Sequence, residues 1–291
     1  MTPARAYGLL FLVTLLWAGN FPFGKLALLE LGPLTLSAAR AAIAAPLLVA
    51  IARLAHGPFP AFTRRDRWTF VVLSLTGLVA NTTVWYWGLR QTSPVNAGIL
   101  GASAPVIVAL VGAAWLGDPL SRRHMVGIVL TVGAVLLTVS HGSLEVLRTL
   151  SFNRGDLIIL ASQSAWVTYT LFSRANPSVL PPTTVQAGAH VVSLLVLAPL
   201  ALLERPWQSL AASSWVGWGA IVYAAGPITL GHIWYYQGIR VVGAGRAAVF
   251  MNLVPFMVIA LSWLLLGEAV RWYHLMGATV VIGGVLLATA R

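Results

Sequence analysis

The chain has 291 residues, of which 58% are apolar and only 9% are charged. A soluble domain carries about 25% charged residues, so this composition excludes a soluble globular protein and a disordered one. It also excludes an outer-membrane barrel, whose strands alternate apolar and polar residues. Disulfides and thiolate sites are excluded because the chain has no cysteine. The net charge of +11 indicates membrane topology and not nucleic-acid binding.

Apolar runs separated by turn and charge clusters predict ten membrane-spanning helices, and so an all-α membrane protein. The first run continues to Leu29 without a cleavage site, which indicates a retained span and not a signal peptide. The predicted spans 1 to 10 cover about 7–29, 34–54, 68–90, 95–116, 122–140, 155–175, 181–203, 214–239, 242–266 and 272–290.

The arginines predict the orientation of these spans. With the N-terminus inside, the cytoplasmic side holds eleven arginines and the outer side holds five. Basic residues are in excess in cytoplasmic loops, so both termini are predicted to lie inside.

The two halves of the chain repeat each other. At a shift of 150 residues they align without a gap from about residue 85 to 140, and Pro105 falls on Pro255. The Leu-Gly-Asp turn at 116–118 falls on Leu-Gly-Glu at 266–268, and a shift of 149 places Trp17 on Trp166.

Five spans in each half is an odd number, so the second half enters the membrane from the opposite side. The predicted units are therefore two inverted repeats, at 1–141 and 142–291. This architecture is typical of secondary transporters, whose substrate site lies near the midplane between the repeats.

Several motifs together resemble the drug/metabolite transporter superfamily in its EamA-like branch. They are the run Leu16-Trp17-Ala18-Gly19-Asn20-Phe21 with Lys25, its counterpart from Ala165-Trp166 to Arg174, and the matched prolines before Leu-Gly-Asp/Glu turns. The resemblance covers essentially the whole chain and is greatest to bacterial aromatic amino-acid exporters. It implies ten helices in the inner membrane and export of small metabolites, with amino acids as the expected cargo.

All seven carboxylates lie near the predicted span ends. Proton and cation carriers usually place one in mid-membrane, so its absence argues against carboxylate-driven proton antiport. It equally argues against recognition of a cationic drug by a buried acid. An enzyme is not expected either, because paired carboxylates and the H-E-x-x-H and G-x-S-x-G patterns are missing. No cofactor or metal is predicted.

The candidate site residues are the polar and aromatic side chains inside the spans. A side-chain amide is costly in lipid, so each should face the bundle, either as a site group or as a helix–helix hydrogen bond. Trp17 and Trp166 are expected to approach the pseudo-twofold axis and line a cavity. The predicted substrate-binding set is Trp17, Asn20, Asn81, Trp85, Ser103, Gln163, Trp166, Thr170, His190, Tyr223, His232 and Asn252.

Other residues carry predicted roles outside this set. Pro105 and Pro255 are expected to be hinges, with a static kink as the alternative. Trp85 and Tyr235 belong to aromatic clusters that form membrane belts or, alternatively, gates. Lys25 and Arg40 are expected to snorkel to the outer interface or to pair structurally, with Glu30 as a candidate partner. The alternative is a charged cavity in which they capture a substrate carboxylate.

The sequence as a whole predicts a secondary transporter that exports amino acids with aromatic or apolar side chains by alternating access. The alternatives are an exporter of lipophilic organic cations or of another metabolite, and less readily a membrane enzyme or scaffold. The expected partners are a small-molecule substrate and the bilayer, without nucleic acid. The chain is predicted to be a monomer or a weak homodimer through the glycine-rich spans five and ten.

Overall fold

The computed structural model describes residues 2–117, 122–176, 178–242 and 250–289. Within these ranges the regular elements are helices, and the predicted all-α class is confirmed. A π-helix at Ser74–Asn81 and a 3₁₀ turn at Leu202–Glu204 interrupt the α-helices. The α-helices are α1 (Pro3–Glu30), α2 (Pro33–His56), α3 (Arg64–Leu73), α4 (Thr82–Gln91), α5 (Pro94–Gly101), α6 (Ala104–Leu116), α7 (Arg122–Val139), α8 (Leu144–Thr149), α9 (Arg154–Ala175), α10 (Pro182–Ala201), α11 (Pro206–Ala212), α12 (Trp215–Ala225), α13 (Pro227–Val242), α14 (Val254–Leu266) and α15 (Trp272–Thr289).

Among the described residues, seven helical stretches are long and apolar enough to cross a membrane. Two shorter apolar helices follow at Val254–Leu266 and Trp272–Leu287, and α9 covers the predicted span six. The seven stretches are Pro3–Glu30, Pro33–His56, Arg64–Gln91, Pro94–Trp115, Arg122–Val139, Pro182–Glu204 and Trp215–Tyr235.

The first helix of each half packs into the other half. α1 lies against α12, α13 and α14, whereas α9 lies against α4, the π-helix, α5 and α6. The pairs α2–α10 and α7–α15 also join the two halves. Among the described residues, the contacts of α1 with α13 and α14 correspond under the sequence repeat to those of α9 with α4 and α6, so the halves are interleaved and not set side by side.

Two matched breaks separate helices at the predicted prolines. Ser103, before α6, has φ −75° and ψ −14°, and Leu253, before α14, has φ −81° and ψ −17°. Pro105 and Pro255 lie in the first turn of the helix that follows, where a missing N–H costs nothing. The predicted interruption is confirmed, but each proline starts a new helix and does not kink a continuous one. Asp118, in the turn after α6, lies outside the described residues.

A second pair of matched breaks was not predicted. The π-helix at 74–81 corresponds, at the 150-residue shift, to 224–231, where Gly226 separates α12 from α13 and Pro227 begins α13. π-Helical turns are frequent at functional sites. The ring of Tyr169 occupies the place that a side chain at Gly77 would need, so α9 reaches the backbone of the π-helix.

The glycines of α7 and α15 serve the contact between these two helices. A Cβ at Gly277 would lie 2.7 Å from Thr138 Oγ1, and one at Gly284 would lie 2.7 Å from the Gly127 carbonyl oxygen. An added Cβ at Gly133 or Gly283 would meet nothing within 4 Å. Small residues therefore let α7 and α15 approach closely within one chain.

We call the end of the bundle where α1 begins the N-terminal end, and the end where α1 finishes at Glu30 the distal end. One buried apolar cluster joins α1, α2, α4, α5, α7, α9 and α12 in the distal half, around Leu28, Tyr86, Leu100 and Ile159. Near the N-terminal end the buried clusters are smaller, such as the one formed by Ala6, Leu10 and Val242. The distal half of the bundle is thus the one held by a continuous core.

Candidate functional site

One face of α1 carries Trp17, Asn20, Phe21 and Gly24, which the helical spacing aligns. The Trp17 ring lies 4.8 Å from the ring of His232 and 5.3 Å from that of Tyr235, measured between centroids. Its Nε1 donates a hydrogen bond of 3.3 Å to the carbonyl of Ile228. This end of the face therefore packs against α13, from the second half.

The next turn of the same face meets the first half. The Phe21 ring contacts Trp85 edge to face, with 5.1 Å between centroids and planes at 82°. A Cβ at Gly24 would lie 3.3 Å from Leu89 and 3.8 Å from the Trp85 ring, so Gly24 mainly lets Leu89 of α4 approach α1. The two residues predicted as alternative gates, Trp85 and Tyr235, thus contact α1 one turn apart.

Asn20 lies between these two aromatic contacts on α1. Its Oδ1 is buried and has no hydrogen-bond partner. A buried acceptor without a donor costs about 1–3 kcal/mol. The oxygen is therefore a candidate acceptor for a donor that helix movement or a bound molecule brings to it.

α9 exposes side chains on two opposite faces. Leu157, Ala161, Ser164 and Thr168 are exposed at helical spacing and form one stripe. Trp166 is 37% exposed, yet it lies two residues from both Ser164 and Thr168. Because a helix turns about 100° per residue, Trp166 projects from the opposite face.

α13 shows the same pattern. His232 is exposed, and so is Val241, nine residues further on and therefore on the opposite face. The His232 Nδ1 lies 2.8 Å from the Ile228 carbonyl oxygen within the helix. Trp166 on α9 and His232 on α13 are thus both exposed. Each projects from the face of its helix opposite the other exposed side chains named here.

Trp17 and Trp166 make no ring contact with each other among the described residues, and their approach to the pseudo-twofold axis stays a prediction. Trp17 stacks with side chains of α13, whereas Trp166 stacks on Tyr169 of its own helix at 5.2 Å. Thr170 Oγ1 donates to the Trp166 carbonyl at 2.8 Å. α1 packs into the second half and α9 packs into the first half. Trp17 therefore contacts α13 of the second half, whereas Trp166 contacts Tyr169 of its own helix.

Two of the four predicted side-chain amides form hydrogen bonds within the protein, Asn81 to another helix and Gln163 within its own helix. Asn81 Nδ2 donates to the Ser162 carbonyl at 2.9 Å, which ties the π-helix to α9. Gln163 is buried, and its Nε2 lies 3.4 Å from both the Ile159 carbonyl oxygen and Ser162 Oγ. Asn252 is half-buried at the break before α14. For Asn81 the structure therefore gives the helix–helix role that was the alternative.

Two predicted hydroxyl groups hold the backbone. Buried Ser103 donates to the Leu100 carbonyl at 2.6 Å and closes the break between α5 and α6. Tyr223 donates to the Leu16 carbonyl at 2.8 Å, and its ring lies 4.5 Å from that of Phe23. Both hydroxyls thus have backbone partners in this structure.

Arg40 lines a small polar cavity of about 10 Å³ between α2, α4 and α10, together with Ser37, Thr82, His190 and Ser193. That volume suits about one water molecule. His190 Nδ1 lies 2.9 Å from the Gln186 carbonyl oxygen, which leaves Nε2 of the ring on the cavity side. Arg40 thus lies at a cavity wall, and the choice between the two roles predicted for it, a charged cavity or snorkelling, stays a prediction.

Lys25 makes its hydrogen bonds to backbone carbonyls and not to Glu30, whose pairing with Lys25 was one alternative to snorkelling. Lys25 Nζ donates to the carbonyl oxygens of Leu89, Arg90 and Thr92 at 2.8, 3.1 and 2.7 Å. These carbonyls end α4, where a positive charge is favourable. All three ammonium hydrogens are used, so Lys25 caps a helix at the distal end.

The acidic residues of the distal end bind across the two halves. Glu30 accepts from Ser214 N and Oγ at 2.7 and 2.6 Å, at the start of α12. Glu204 accepts from Leu34 N and Thr35 N at 3.2 and 2.8 Å, in the first turn of α2. Each carboxylate meets unpaired N–H groups and the positive end of a helix dipole.

Asp156 and Glu268 complete this distal carboxylate set, which we define as Glu30, Asp156, Glu204 and Glu268. Asp156 is fully buried and accepts from Asn96 Nδ2 and from the Thr92 hydroxyl. Burial raises the pKa of Glu268 above its ordinary value of 4.5, and contacts with Ser93 and the Val95 N–H offset this only in part. The sequence located these acids at span ends but gave no sign of their partners.

Repeated halves, membrane-length helices and a central aromatic face define a multi-pass membrane protein of the transporter class. The model of the EamA-like transporter family matches residues 4–140 and again 153–290. The chain therefore belongs to the EamA-like transporter family, and the sequence-based resemblance is confirmed at that level.

Relatives support the same class. The chain is 30% identical to the "Uncharacterized transporter YyaM" of Bacillus subtilis (strain 168), over 93% of this chain and 88% of that protein. It is 23% identical to the "Probable terminal-alkyne amino-acid exporter" of Streptantibioticus cattleyicolor, over 100% of this chain and 95% of that protein. One crystal structure superposes with a TM-score of 0.63 at 19% identity, covering 99% of this chain and 98% of that one, and shows a shared fold.

Proposed function

We propose that this transporter exports small zwitterionic metabolites with aromatic or apolar side chains, amino acids above all. The observation that carries the proposal is the buried, unpartnered Oδ1 of Asn20 on a face otherwise made of aromatic rings. An amino group would donate to this oxygen, while the rings of Trp17, Phe21 and Trp85 would contact an apolar side chain. The Streptantibioticus relative, named as an amino-acid exporter, supports an amino-acid cargo.

The cavity is proposed to lie between the two halves, with α1 and α13 on one wall and α9 on the other. The support is the exposure of Trp166 and His232 on the faces opposite their helices' other exposed residues. Trp166 lies 12 positions after α9 begins at the distal end, or about 18 Å along the axis. That depth agrees with a cargo site near the midplane.

The proposed topology is ten spans in two inverted five-helix repeats, with both termini inside a bacterial inner membrane. The distal end then faces outward. The buried core and the distal carboxylate set hold the halves together there, so this conformation is closed outside and open inside. Pro105, Pro255, Gly226 and the π-helix are proposed as the places where helices bend during alternation.

The protein is further proposed to be a monomer or a weak homodimer, with α7 and α15 as the helices that form the dimer contact. Exposed apolar residues such as Val129 and Met276 on these helices support a lipid-facing or subunit-facing surface. Gly133 and Gly283 leave open space on the same pair of helices.

The test is efflux from proteoliposomes preloaded with labelled phenylalanine, tryptophan or threonine, with and without a pH gradient. We expect efflux of the labelled amino acid, and we expect unlabelled aromatic amino acids to compete with it. The efflux should not depend on the pH gradient. A parallel sample loaded with tetraphenylphosphonium tests the alternative of a lipophilic cation. Efflux of that cation alone, by folded protein, would overturn the amino-acid assignment.

A further inference from the structure

An apolar cavity lies near the N-terminal end, away from the proposed cargo site. It has a volume of about 230 Å³ and lies between α2, α3, α10 and the segment 57–63. Its walls include Val49, Phe59, Phe62, Phe70, Val191 and Val192. The Phe70 ring packs directly on Gly188, where a Cβ would lie 2.7 Å from the ring.

The mouth of this cavity faces the bilayer side of α10. Val191 lines the cavity and is 38% exposed. Leu195 and Ala198 are exposed four and seven residues further on, so the three form one stripe at helical spacing. A hydrocarbon chain entering from the lipid therefore meets the cavity without crossing the bundle.

Two arginines contact phenylalanines of the cavity wall, and we call this pair the rim. The Arg53 guanidinium carbon lies 4.7 Å from the centre of the Phe59 ring. Arg67 donates from Nε and Nη2 to the Phe62 carbonyl at 3.3 and 3.1 Å. Both guanidinium groups are thus held beside the apolar opening while other N–H donors stay free.

No carboxylate neutralises this rim among the described residues. Asp66, the nearest acid in the chain, accepts from Thr63 N at 2.9 Å and Thr63 Oγ1 at 2.6 Å in a capping box. Within the described part of the chain, no arginine lies within 4 Å of an acidic oxygen. Arg64 and Arg65 at the start of α3 add further positive charge.

We propose that this cavity binds one acyl chain of an anionic phospholipid, with the lipid phosphate on Arg53 and Arg67. An apolar pocket that opens to the bilayer suits the chain, and the two guanidinium groups suit the phosphate oxygens. Basic pockets between membrane helices are known to bind anionic headgroups. In the proposed topology the lipid comes from the cytoplasmic leaflet, but the site itself does not depend on the cargo.

The experiment measures the melting temperature of the purified protein in neutral detergent with added phosphatidylglycerol or phosphatidylcholine. A ligand that binds only the folded state raises that temperature. Phosphatidylglycerol is expected to raise it, and phosphatidylcholine is expected to have little effect. The Arg53→Gln/Arg67→Gln variant should weaken the phosphatidylglycerol response at least about tenfold in lipid concentration.

The matched control is Arg122→Gln/Arg123→Gln, which removes the same charge from exposed residues at the start of α7. It should respond to phosphatidylglycerol like the wild type. Val191→Phe fills the mouth of the cavity and should abolish the response without lowering the lipid-free melting temperature. Val191→Met serves the same purpose if the larger ring prevents folding.

Three results would overturn the proposal. They are equal stabilisation by the two lipids, an equal loss of response in the Arg122/Arg123 control, and a full response to glycerol phosphate without any acyl chain. Because the readout is lipid-dependent stability, its failure would leave the transport proposal intact, and failure of transport would leave the lipid site intact.

Discussion

Asn96 donates from Nδ2 to both carboxylate oxygens of Asp156, at 3.3 Å to Oδ1 and 3.1 Å to Oδ2. The contact joins the first half to the second at the distal end, and the Thr92 hydroxyl donates to the same carboxylate. His141 Nε2 lies 3.8 Å from Asp156 Oδ2. Since Thr92 also offers its carbonyl to Lys25, one short connection between α4 and α5 serves two charged residues.

Asp156→Leu should therefore lower stability markedly. It leaves the buried Thr92 hydroxyl without an acceptor, at a cost of about 1–3 kcal/mol, and leaves the Asn96 amide only His141 Nε2 at 3.3 Å. Asp156→Asn, which keeps an acceptor, should cost less. Thermal unfolding in detergent measures both variants, and Glu145→Leu on exposed α8 is the control. Equal melting temperatures for Asp156→Leu and the control would contradict the role of this network.

Glu268→Gln should flatten the dependence of stability on pH. Burial raises the folded-state pKa of Glu268 above the ordinary value of 4.5, so the folded protein binds more protons than the unfolded chain. The destabilising effect of ionising Glu268 is absent below pH 4.5, where the carboxyl is protonated in both states. It grows as the pH rises toward the folded-state pKa. The wild-type melting temperature minus that of the variant should thus fall between acidic and neutral pH. A difference that rises with pH would refute this assignment.

Lys25→Met tests whether the ammonium caps α4 or captures a cargo carboxylate. Capping predicts a loss of stability of about 1–3 kcal/mol, because three carbonyl oxygens lose their donor. The half-saturation concentration for cargo should stay unchanged in the folded fraction. Arg148→Met, on exposed α8, controls for loss of a positive charge. A large rise in half-saturation with unchanged stability would favour carboxylate capture instead.

The inward-open state can be tested with single cysteines, because the chain contains none. Thr170→Cys is expected to react with an impermeant maleimide from the cytoplasmic side, and added phenylalanine should slow the reaction. Leu28→Cys, within the distal core, should stay unreactive from either side. Reaction of Thr170→Cys only from the outside would reverse the proposed orientation.

Much of the fold could be predicted from the sequence because apolar length and matched prolines are local signals. Pro105 and Pro255 located two breaks, and Pro227 with Gly226 could have located a third. The π-helix at Ser74–Asn81 has no such marker, since it depends on the packing of Tyr169 on Gly77.

The candidate site was harder to predict, because the type of a side chain does not tell whether a partner is nearby. Asn20 and Asn81 look equivalent in sequence, yet Asn81 donates to Ser162 while Asn20 Oδ1 has no partner. Lys25 reaches carbonyls that lie more than 60 positions away in the chain. Such distant pairings appear only when the helices are placed together.

The most direct test of the transport account compares phenylalanine efflux by Asn20→Ala and Asn81→Ala in proteoliposomes. If the Asn20 oxygen binds the cargo, Asn20→Ala should raise the half-saturation concentration about tenfold, because one buried hydrogen bond to the cargo is lost. Asn81→Ala should lower the melting temperature but leave half-saturation unchanged. Unaltered half-saturation in Asn20→Ala, with folded protein and active transport, would contradict the account.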